Sequence, residues 1–203
     1  KIVTALGAKV VLTQGRLGMK GAIAKAEELK IEYGNAFIPQ QFENPSNPAI
    51  HEVTTAKEII KDLDGNVDIF IASVGTGGTI TGIGRVLKAQ NPDIEIWAVE
   101  PENAAILAGG TIGTHIQMGI GDGIIPEILD QSIYDDIYVI SDEEALSTSK
   151  RLAKEEGLMC GISSGTNVAA ALKLAKKLGK GKTVVTVLPD TAERYFSTEL
   201  FSE

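Results

Sequence analysis

The sequence contains a single cysteine, Cys160, in 203 residues. One thiol cannot form a disulfide within the chain and cannot by itself build a zinc site, so a disulfide-stabilised scaffold and a zinc finger are excluded. The only two histidines, His51 and His115, stand apart from any cluster of further ligands, so we expect no metal site. We expect Cys160 to be a buried, unreactive thiol, His51 to be structural and His115 to be exposed to solvent.

Cationic residues and long apolar runs are also scarce. Lys and Arg number 19 against 27 Asp and Glu, which gives a formal net charge of −8. This balance argues against nucleic acid or an anionic membrane as a partner. No apolar run approaches the ~18 residues that a membrane-spanning helix requires, and no signal peptide is visible. The composition therefore predicts an acidic protein of the cytoplasm.

Glycine, in contrast, is abundant. The chain has 22 glycines in 203 residues, whereas ordinary proteins contain about 7%. Several of them interrupt the segment 109–125, which has little helical or strand periodicity. A loop of that length inside a compact domain is often functional, so we expect this one to border a site.

Apolar runs alternate with helical patterns along most of the chain. The continuous apolar run 67–74 is typical of a central parallel strand covered on both faces. Further strands are predicted at 9–13, 36–41, 94–99, 137–140 and 183–188, and helices at 18–33, 48–63, 80–89, 141–157 and 164–178. The alternation predicts an α/β fold, a parallel twisted sheet with helices on both faces, whose ligands bind beyond the carboxyl ends of the strands.

The strongest local signal is the segment Gly75-Thr76-Gly77-Gly78-Thr79, between the run 67–74 and a predicted helix. Successive glycines let the backbone turn tightly and direct several N–H groups into one concavity. The helix that follows adds the positive end of its dipole, and the threonines add hydroxyl donors. This combination predicts a phosphate site that needs no Lys or Arg.

Two better-known phosphate motifs do not fit. A dinucleotide fingerprint, G-x-G-x-x-G, would need glycine where Ile80 stands. The segment Gly181-Lys182-Thr183 imitates the end of a P-loop, but the first glycine of that motif is replaced by Lys176. A P-loop also follows a strand, whereas this segment precedes one.

Two further segments carry polar side chains suited to a ligand. Ser163 and Ser164 precede the last predicted helix, where each could be an N-cap or could present a hydroxyl to a ligand. Gln41 follows a predicted strand, where its amide could either cap a loop or address a carboxylate.

Taken together, these segments resemble the O-acetylserine sulfhydrylase (cysteine synthase) family of pyridoxal phosphate (PLP) enzymes, which has the tryptophan synthase β-like fold. The resemblance extends over essentially the whole chain, and it is the series of motifs in order that makes it specific. The motifs are GMKGA (18–22), QQFENPSNPAIHE (40–52), SVGTGGTITG (73–82), VEP (99–101), QMGIGDGIIP (117–126), GISSG (161–165) and LPDTAERYFST (188–198).

The resemblance assigns roles to particular residues. The phosphate of PLP would be bound by Gly75, Thr76, Gly77, Gly78 and Thr79. Ser163 would hydrogen-bond the pyridine nitrogen. Gln41 and Gly121 would lie on the substrate side, with Gln41 helping to bind the substrate carboxylate.

The reaction that the resemblance implies is replacement of acetate in O-acetyl-L-serine by sulfide, which gives L-cysteine. A related enzyme acting on O-phosphoserine or a cystathionine β-synthase-type substrate is the near alternative. A module without catalytic activity that binds the C-terminal tail of serine acetyltransferase is the alternative from a different class. The resemblance also implies a homodimer.

The family's Schiff-base lysine has no counterpart in this sequence. Lys20, in GMKGA, matches another part of the family pattern and is expected on a helix surface. Because Lys1–Leu6 has the pattern of a helix end, we expect the chain to begin inside an element, with the lysine upstream, and to be inactive alone. Residues 1–44 would then be the tail of a smaller mobile domain, and residues 45–203 most of the larger PLP-binding domain. Asp122 departs from the family pattern, which often has a small residue there.

Overall fold

The computed structural model describes residues 1–202 and separates into two compact units, residues 1–40 and a larger unit from Gln41 onward. The first unit contains α1 (Ile2–Ala5), a 3-10 turn (Gly15–Leu17) and α2 (Gly18–Tyr33). The prediction of α2 is confirmed, and Gly34 ends it with a φ of 71° that favours glycine.

The strands predicted at 9–13 and 36–41 do not form, so both predictions were wrong. The two segments are irregular and mostly exposed, with Leu12 at 88%. A strand requires a neighbouring strand to pair its N–H and C=O groups. Residues 1–40, all of which the structure describes, contain no strand that could provide one.

The larger unit is built on a four-stranded parallel sheet with the order β3-β2-β1-β4. The strands are β1 (Ile69–Ser73), β2 (Glu95–Pro101), β3 (Asp136–Ile140) and β4 (Val184–Thr186). The helices are α3 (Ser46–Val53), α4 (Thr55–Asp62), α5 (Gly78–Gln90), α6 (Asp142–Glu156) and α7 (Ile162–Leu178). Among residues 1–202, no helix has the length and apolar character needed to cross a membrane.

Alternate side chains of β1 enter two different hydrophobic clusters. Ile71 packs on one face of the sheet in a cluster that includes Trp97 and residues of α6 and α7. Phe70 packs on the other face in a cluster that includes residues of α4 and α5. Because a strand alternates its side chains between faces, helices must cover both sides of the sheet. The predicted fold class is confirmed, and Trp97, 9% exposed, packs in the same cluster as Ile71.

The helix ends agree with the sequence pattern in one place and differ in two. Ser141 and Glu144 form a capping box at the start of α6, close to where the sequence predicts that a helix begins. The helix predicted at 48–63 is divided at Thr54, whose φ of −120° and ψ of −87° are not helical. Gly161 is the N-cap of α7, so Ser163 and Ser164 lie inside the first turn and their N-cap interpretation was wrong.

Candidate functional site

A cavity of ≈ 480 Å³ lies at the carboxyl end of β1. Its near wall contains Ser73, at the end of the strand, and Gly75, Thr76 and Gly77 from the loop that follows. Thr79, in the first turn of α5, also lines it. This is the edge at which parallel α/β sheets bind ligands.

The loop has the conformation that the glycine pattern predicts. Gly77 is the N-cap of α5 and is left-handed, with a φ of 80°. A Cβ on Gly77 would lie 2.7 Å from the Cβ atom of Leu129, so both the conformation and the space at this position require glycine. The N–H groups in the first turn of α5 have no carbonyl partner within the helix, which makes this end of the cavity suited to an anion.

Both threonine hydroxyls are held by side chains from α3. Thr76 Oγ1 accepts a hydrogen bond from Asn47 Nδ2 at 3.0 Å. Thr79 Oγ1 lies 3.3 Å from Nε2 of His51, whose Nδ1 lies 3.0 Å from Oγ1 of Thr55. The hydroxyls that sequence analysis assigned to the phosphate site are therefore fixed in orientation by polar contacts from another helix.

His51 is not only structural, because its ring lines the cavity. Partial burial lowers the pKa of this imidazole below its ordinary value, which favours the neutral form at neutral pH. His115 was predicted to be exposed to solvent, and the structure differs from this prediction. It is partly buried, and its Nε2 lies 3.2 Å from the carbonyl oxygen of Gly121.

The far wall of the cavity combines the start of α7 with the segment after β4. Ser163, 4% exposed, lines the cavity there together with Asp190 and Tyr195. The Tyr195 hydroxyl donates to Asp190 Oδ2 at 2.6 Å, whereas Asp190 Oδ1 is buried with no hydrogen-bond partner among the described residues. Burial, followed by the contact with Asp190, raises the pKa of Tyr195 and keeps its phenol protonated.

Three of the residues predicted for the site do not line the cavity. Gly78 lies beneath the loop and packs against the side-chain amide of Asn47. Gln41 is exposed, and its carbonyl oxygen accepts a hydrogen bond from Asn47 Nδ2 at 2.8 Å. Gly121 donates its N–H to the Val74 carbonyl at 3.1 Å. Gln41 is thus linked to the loop 75–79 through the side chain of Asn47, which also contacts Thr76, and Gly121 is linked to Val74, the residue before the loop.

The glycine-rich segment 109–125 is irregular, as predicted, and buried polar side chains fix its position. Gln117 is fully buried and donates from Nε2 to the Ile140 carbonyl at 3.0 Å and to Asp142 Oδ1 at 2.9 Å. Its Oε1 accepts from the Thr166 hydroxyl at 2.8 Å. Gln117 therefore connects this segment, whose Gly119 and neighbours line the cavity, to the helix that carries Ser163.

Comparison with protein families matches residues 1–190 to the family described as "Pyridoxal-phosphate dependent enzyme". The chain belongs to this family of pyridoxal-phosphate dependent enzymes. Cysteine synthase of Staphylococcus aureus strain Mu50 is 54% identical to the chain over 202 residues, covering 99% of the chain and 65% of that protein. The resemblance predicted from the motifs is therefore confirmed.

Two solved structures match the fold of the chain closely. O-ureido-L-serine synthase superposes with a TM-score of 0.94 at 44% identity, covering 98% of this chain and 63% of that one. O-acetylserine dependent cystathionine beta-synthase from Helicobacter pylori superposes with a TM-score of 0.94 at 43% identity, covering 99% of this chain and 65% of that one. The chain thus spans less than two thirds of the length of each relative.

The cavity fits the family's cofactor on its own chemistry. Its loop end offers threonine hydroxyls and helix N–H groups, which are donors for a phosphate. Its far wall offers the Ser163 hydroxyl, which can donate to or accept from a ring nitrogen. No Lys or Arg is among the described residues that line the cavity. The sequence-based prediction missed His51, Asp190 and Tyr195, which line the cavity, and Asn47, which contacts the cavity residue Thr76. Only the fold brings these residues together.

Proposed function

We propose that this protein acts as a PLP-dependent cysteine synthase, replacing the acetate of O-acetyl-L-serine by sulfide to form L-cysteine. The observation that carries the proposal is the cavity at the end of β1, which Thr76 and Thr79 line with no Lys or Arg among its described lining residues. The 54% identity to a cysteine synthase supports the choice of reaction.

Each wall of the cavity has a separate task in this proposal. Gly75 to Thr79 hold the phosphate, and Ser163 contacts the pyridine nitrogen with a neutral hydroxyl. When bound, PLP supplies an electron sink for the α-carbon of the amino-acid substrate. A neutral partner at the ring nitrogen makes that sink milder than a carboxylate partner would, which suits loss of a good leaving group from the β-carbon. Gln41 helps to bind the substrate carboxylate, and Gly121 lies on the substrate side.

The Schiff-base lysine is proposed to lie in the part of the relatives' length that this chain does not span. We accordingly expect residues 1–203 alone to bind PLP without a covalent bond to lysine and to be inactive. In this proposal residues 1–44 belong to a smaller mobile domain, the active protein is a cytoplasmic homodimer, and the C-terminal tail of serine acetyltransferase is a candidate partner.

The proposal is tested in two steps with the purified active protein, in which the part of the relatives' length that this chain does not span is also present. PLP content after dialysis is measured first, followed by borohydride reduction and mass spectrometry to find any lysine that carries the cofactor. L-Cysteine is then quantified after addition of O-acetyl-L-serine and sulfide, with O-phosphoserine in place of the acetyl ester as a parallel reaction. Absence of PLP binding would refute the site, and faster turnover of O-phosphoserine would favour the alternative substrate.

A second candidate reaction has a specific residue in its favour. Asp122 lies in the glycine-rich segment beside Gly121, and partial burial raises the pKa of its carboxyl, against the opposing influence of nearby His115. A carboxyl group near the substrate side could favour an acceptor other than sulfide. Homocysteine offered in place of sulfide, with cystathionine as the measured product, distinguishes the two reactions.

A further inference from the structure

The orientation of the Asn47 side-chain amide, on α3, is determined by its contact with the backbone carbonyl of Gln41. Its Nδ2 donates to the carbonyl oxygen of Gln41 at 2.8 Å. A carbonyl oxygen can only accept, so this contact requires the amide nitrogen, and not the amide oxygen, on that side. The same Nδ2 donates its second hydrogen to Oγ1 of Thr76 at 3.0 Å.

Thr76 receives a second hydrogen bond on the same oxygen. The N–H of Gly78, in the first turn of α5, lies 3.4 Å from Thr76 Oγ1. A hydroxyl oxygen has two lone pairs and one hydrogen, so two incoming N–H groups occupy its acceptor capacity. The hydroxyl hydrogen has no acceptor among the described residues, and Thr76 lines the cavity. The hydrogen is therefore left to donate into the cavity.

We infer that Asn47 is a positioning residue that makes Thr76 an obligate hydrogen-bond donor to the phosphate of the bound cofactor. The inference rests on the phosphate site proposed above and adds to it a residue that does not itself line the cavity. A hydroxyl that is free to rotate must lose that freedom when it binds a ligand, whereas one held by Asn47 and Gly78 is already oriented. The same amide fixes the carbonyl of Gln41, so it also ties the proposed substrate segment to the phosphate loop.

The side-chain amide of Asn47 packs directly against Gly78. A Cβ atom placed on Gly78 would overlap Oδ1 of Asn47, so the amide lies directly against the backbone of the loop. Glycine at position 78 is then required by this contact and not by its own backbone conformation, since Gly78 is an ordinary helical residue.

The test compares the binding of PLP with that of pyridoxal, which lacks the phosphate. The ratio of the two dissociation constants measures the contribution of the phosphate alone. In Asn47→Asp the carboxylate accepts the Thr76 hydrogen and withdraws it from the cavity, so we expect the preference for PLP to fall roughly tenfold or more. Pyridoxal affinity should stay unchanged, whereas general damage to the fold would weaken both ligands.

Substitutions of Thr76 test the same hydrogen bond from the side of the hydroxyl that Asn47 orients. Thr76→Val removes the hydroxyl at nearly constant volume and should lower the preference for PLP as Asn47→Asp does, whereas Thr76→Ser should retain it. In the double variant the two losses should be far from multiplicative, because both act on one hydrogen. Asn91→Asp adds the same charge at the other end of α5, about 20 Å away along the helix, and should leave both affinities unchanged.

The outcomes separate this inference from the proposed function. If the unmodified protein bound PLP no more tightly than pyridoxal, the phosphate site and the inference would both be overturned. If it preferred PLP but Asn47→Asp kept that preference, the site would stand and the role of Asn47 would be wrong. Fully multiplicative losses in the double variant would also overturn the inference, since they would show that Asn47 acts independently of Thr76.

Discussion

Asn167 on α7 accepts a hydrogen bond at Oδ1 from the backbone N–H of Ser73, the last residue of β1, at 2.7 Å. Its Nδ2 donates to the Val187 carbonyl, beyond β4, at 2.8 Å. One side chain thus joins the helix that carries Ser163 to the ends of two neighbouring strands. Asn167 is fully buried, whereas Ser73 and Val187 are partly buried and line the cavity.

Asn167→Ala should lower the free energy of unfolding by about 1–3 kcal/mol, because it creates a small cavity and removes the partner of a partly buried N–H and a partly buried C=O. Urea unfolding followed by circular dichroism measures the change. Asn66→Ala, at an exposed position in the turn before β1, should cost less than about 0.5 kcal/mol. Equal losses in the two variants would show that the contacts of Asn167 contribute nothing to stability.

Gly77→Val should abolish PLP binding. The residue has a φ of 80°, and an added side chain would collide with Leu129, whose Cδ1 lies 2.8 Å from the position of a Cβ. Relief of this collision requires the loop 75–79 to move. Equilibrium dialysis against PLP measures the loss.

A matched control separates backbone strain from damage to the site. Gly179 has nearly the same φ, 81°, at the end of α7, but no described atom lies within 4 Å of the position that a Cβ would occupy there. Gly179→Val should therefore lose stability through strain while retaining PLP. Retention of PLP by Gly77→Val would refute the assignment of this loop to the phosphate.

Ser163 and Ser164 are adjacent in sequence and should respond oppositely to substitution by alanine. Ser163 lines the cavity, whereas Oγ of Ser164 is buried and has no hydrogen-bond partner among the described residues. Removal of an unpaired buried hydroxyl should leave stability unchanged or raise it, by up to about 1 kcal/mol. Ser163→Ala should shift the absorbance of bound PLP and its dependence on pH, and Ser164→Ala should not. If Ser164→Ala changed the spectrum and Ser163→Ala did not, Ser164 and not Ser163 would be the residue that contacts the pyridine nitrogen.

The sequence could predict those parts of the structure that depend on neighbours along the chain. The apolar run around Phe70, the capping box of Ser141 and the glycine turn at Gly77 each carry their physical cause within a few residues. The cavity could not be predicted in the same way. His51 reaches Thr79 across 28 positions, and Asn167 reaches Ser73 across 94.

The errors have related causes. The apolar residues at 9–13 satisfied a strand pattern, but propensity cannot form a strand without a partner beside it. Ser163 and Ser164 are favourable N-cap residues, yet Gly161 takes that position, and the side chains of Asp190 and Tyr195 pack against it where a Cβ would stand. Local preference was overridden in both cases by the surrounding structure.

Glu100, at the end of β2, should make the stability of the unmodified protein depend on pH. This dependence should be absent from the variant Glu100→Gln. The carboxylate is 2% exposed and accepts hydrogen bonds from the N–H groups of Leu107 and Ala108 at 2.9 and 3.0 Å. Burial raises the pKa of this carboxyl above its ordinary value of 4.5, and these hydrogen bonds oppose the rise without cancelling it.

The direction of the effect follows from proton linkage. Because the pKa is higher in the folded state, the folded chain binds more protons than the unfolded chain between the two pKa values. The stability that Glu100 contributes is fully present below pH 4.5 and declines as the pH rises through the raised pKa of the folded state. Urea unfolding across this range measures the free energy of unfolding of the unmodified protein and of Glu100→Gln. The value for the unmodified protein minus that for the variant should fall with rising pH and then stay constant. A difference that grows with pH would mean that the hydrogen bonds from Leu107 and Ala108 outweigh the cost of burial.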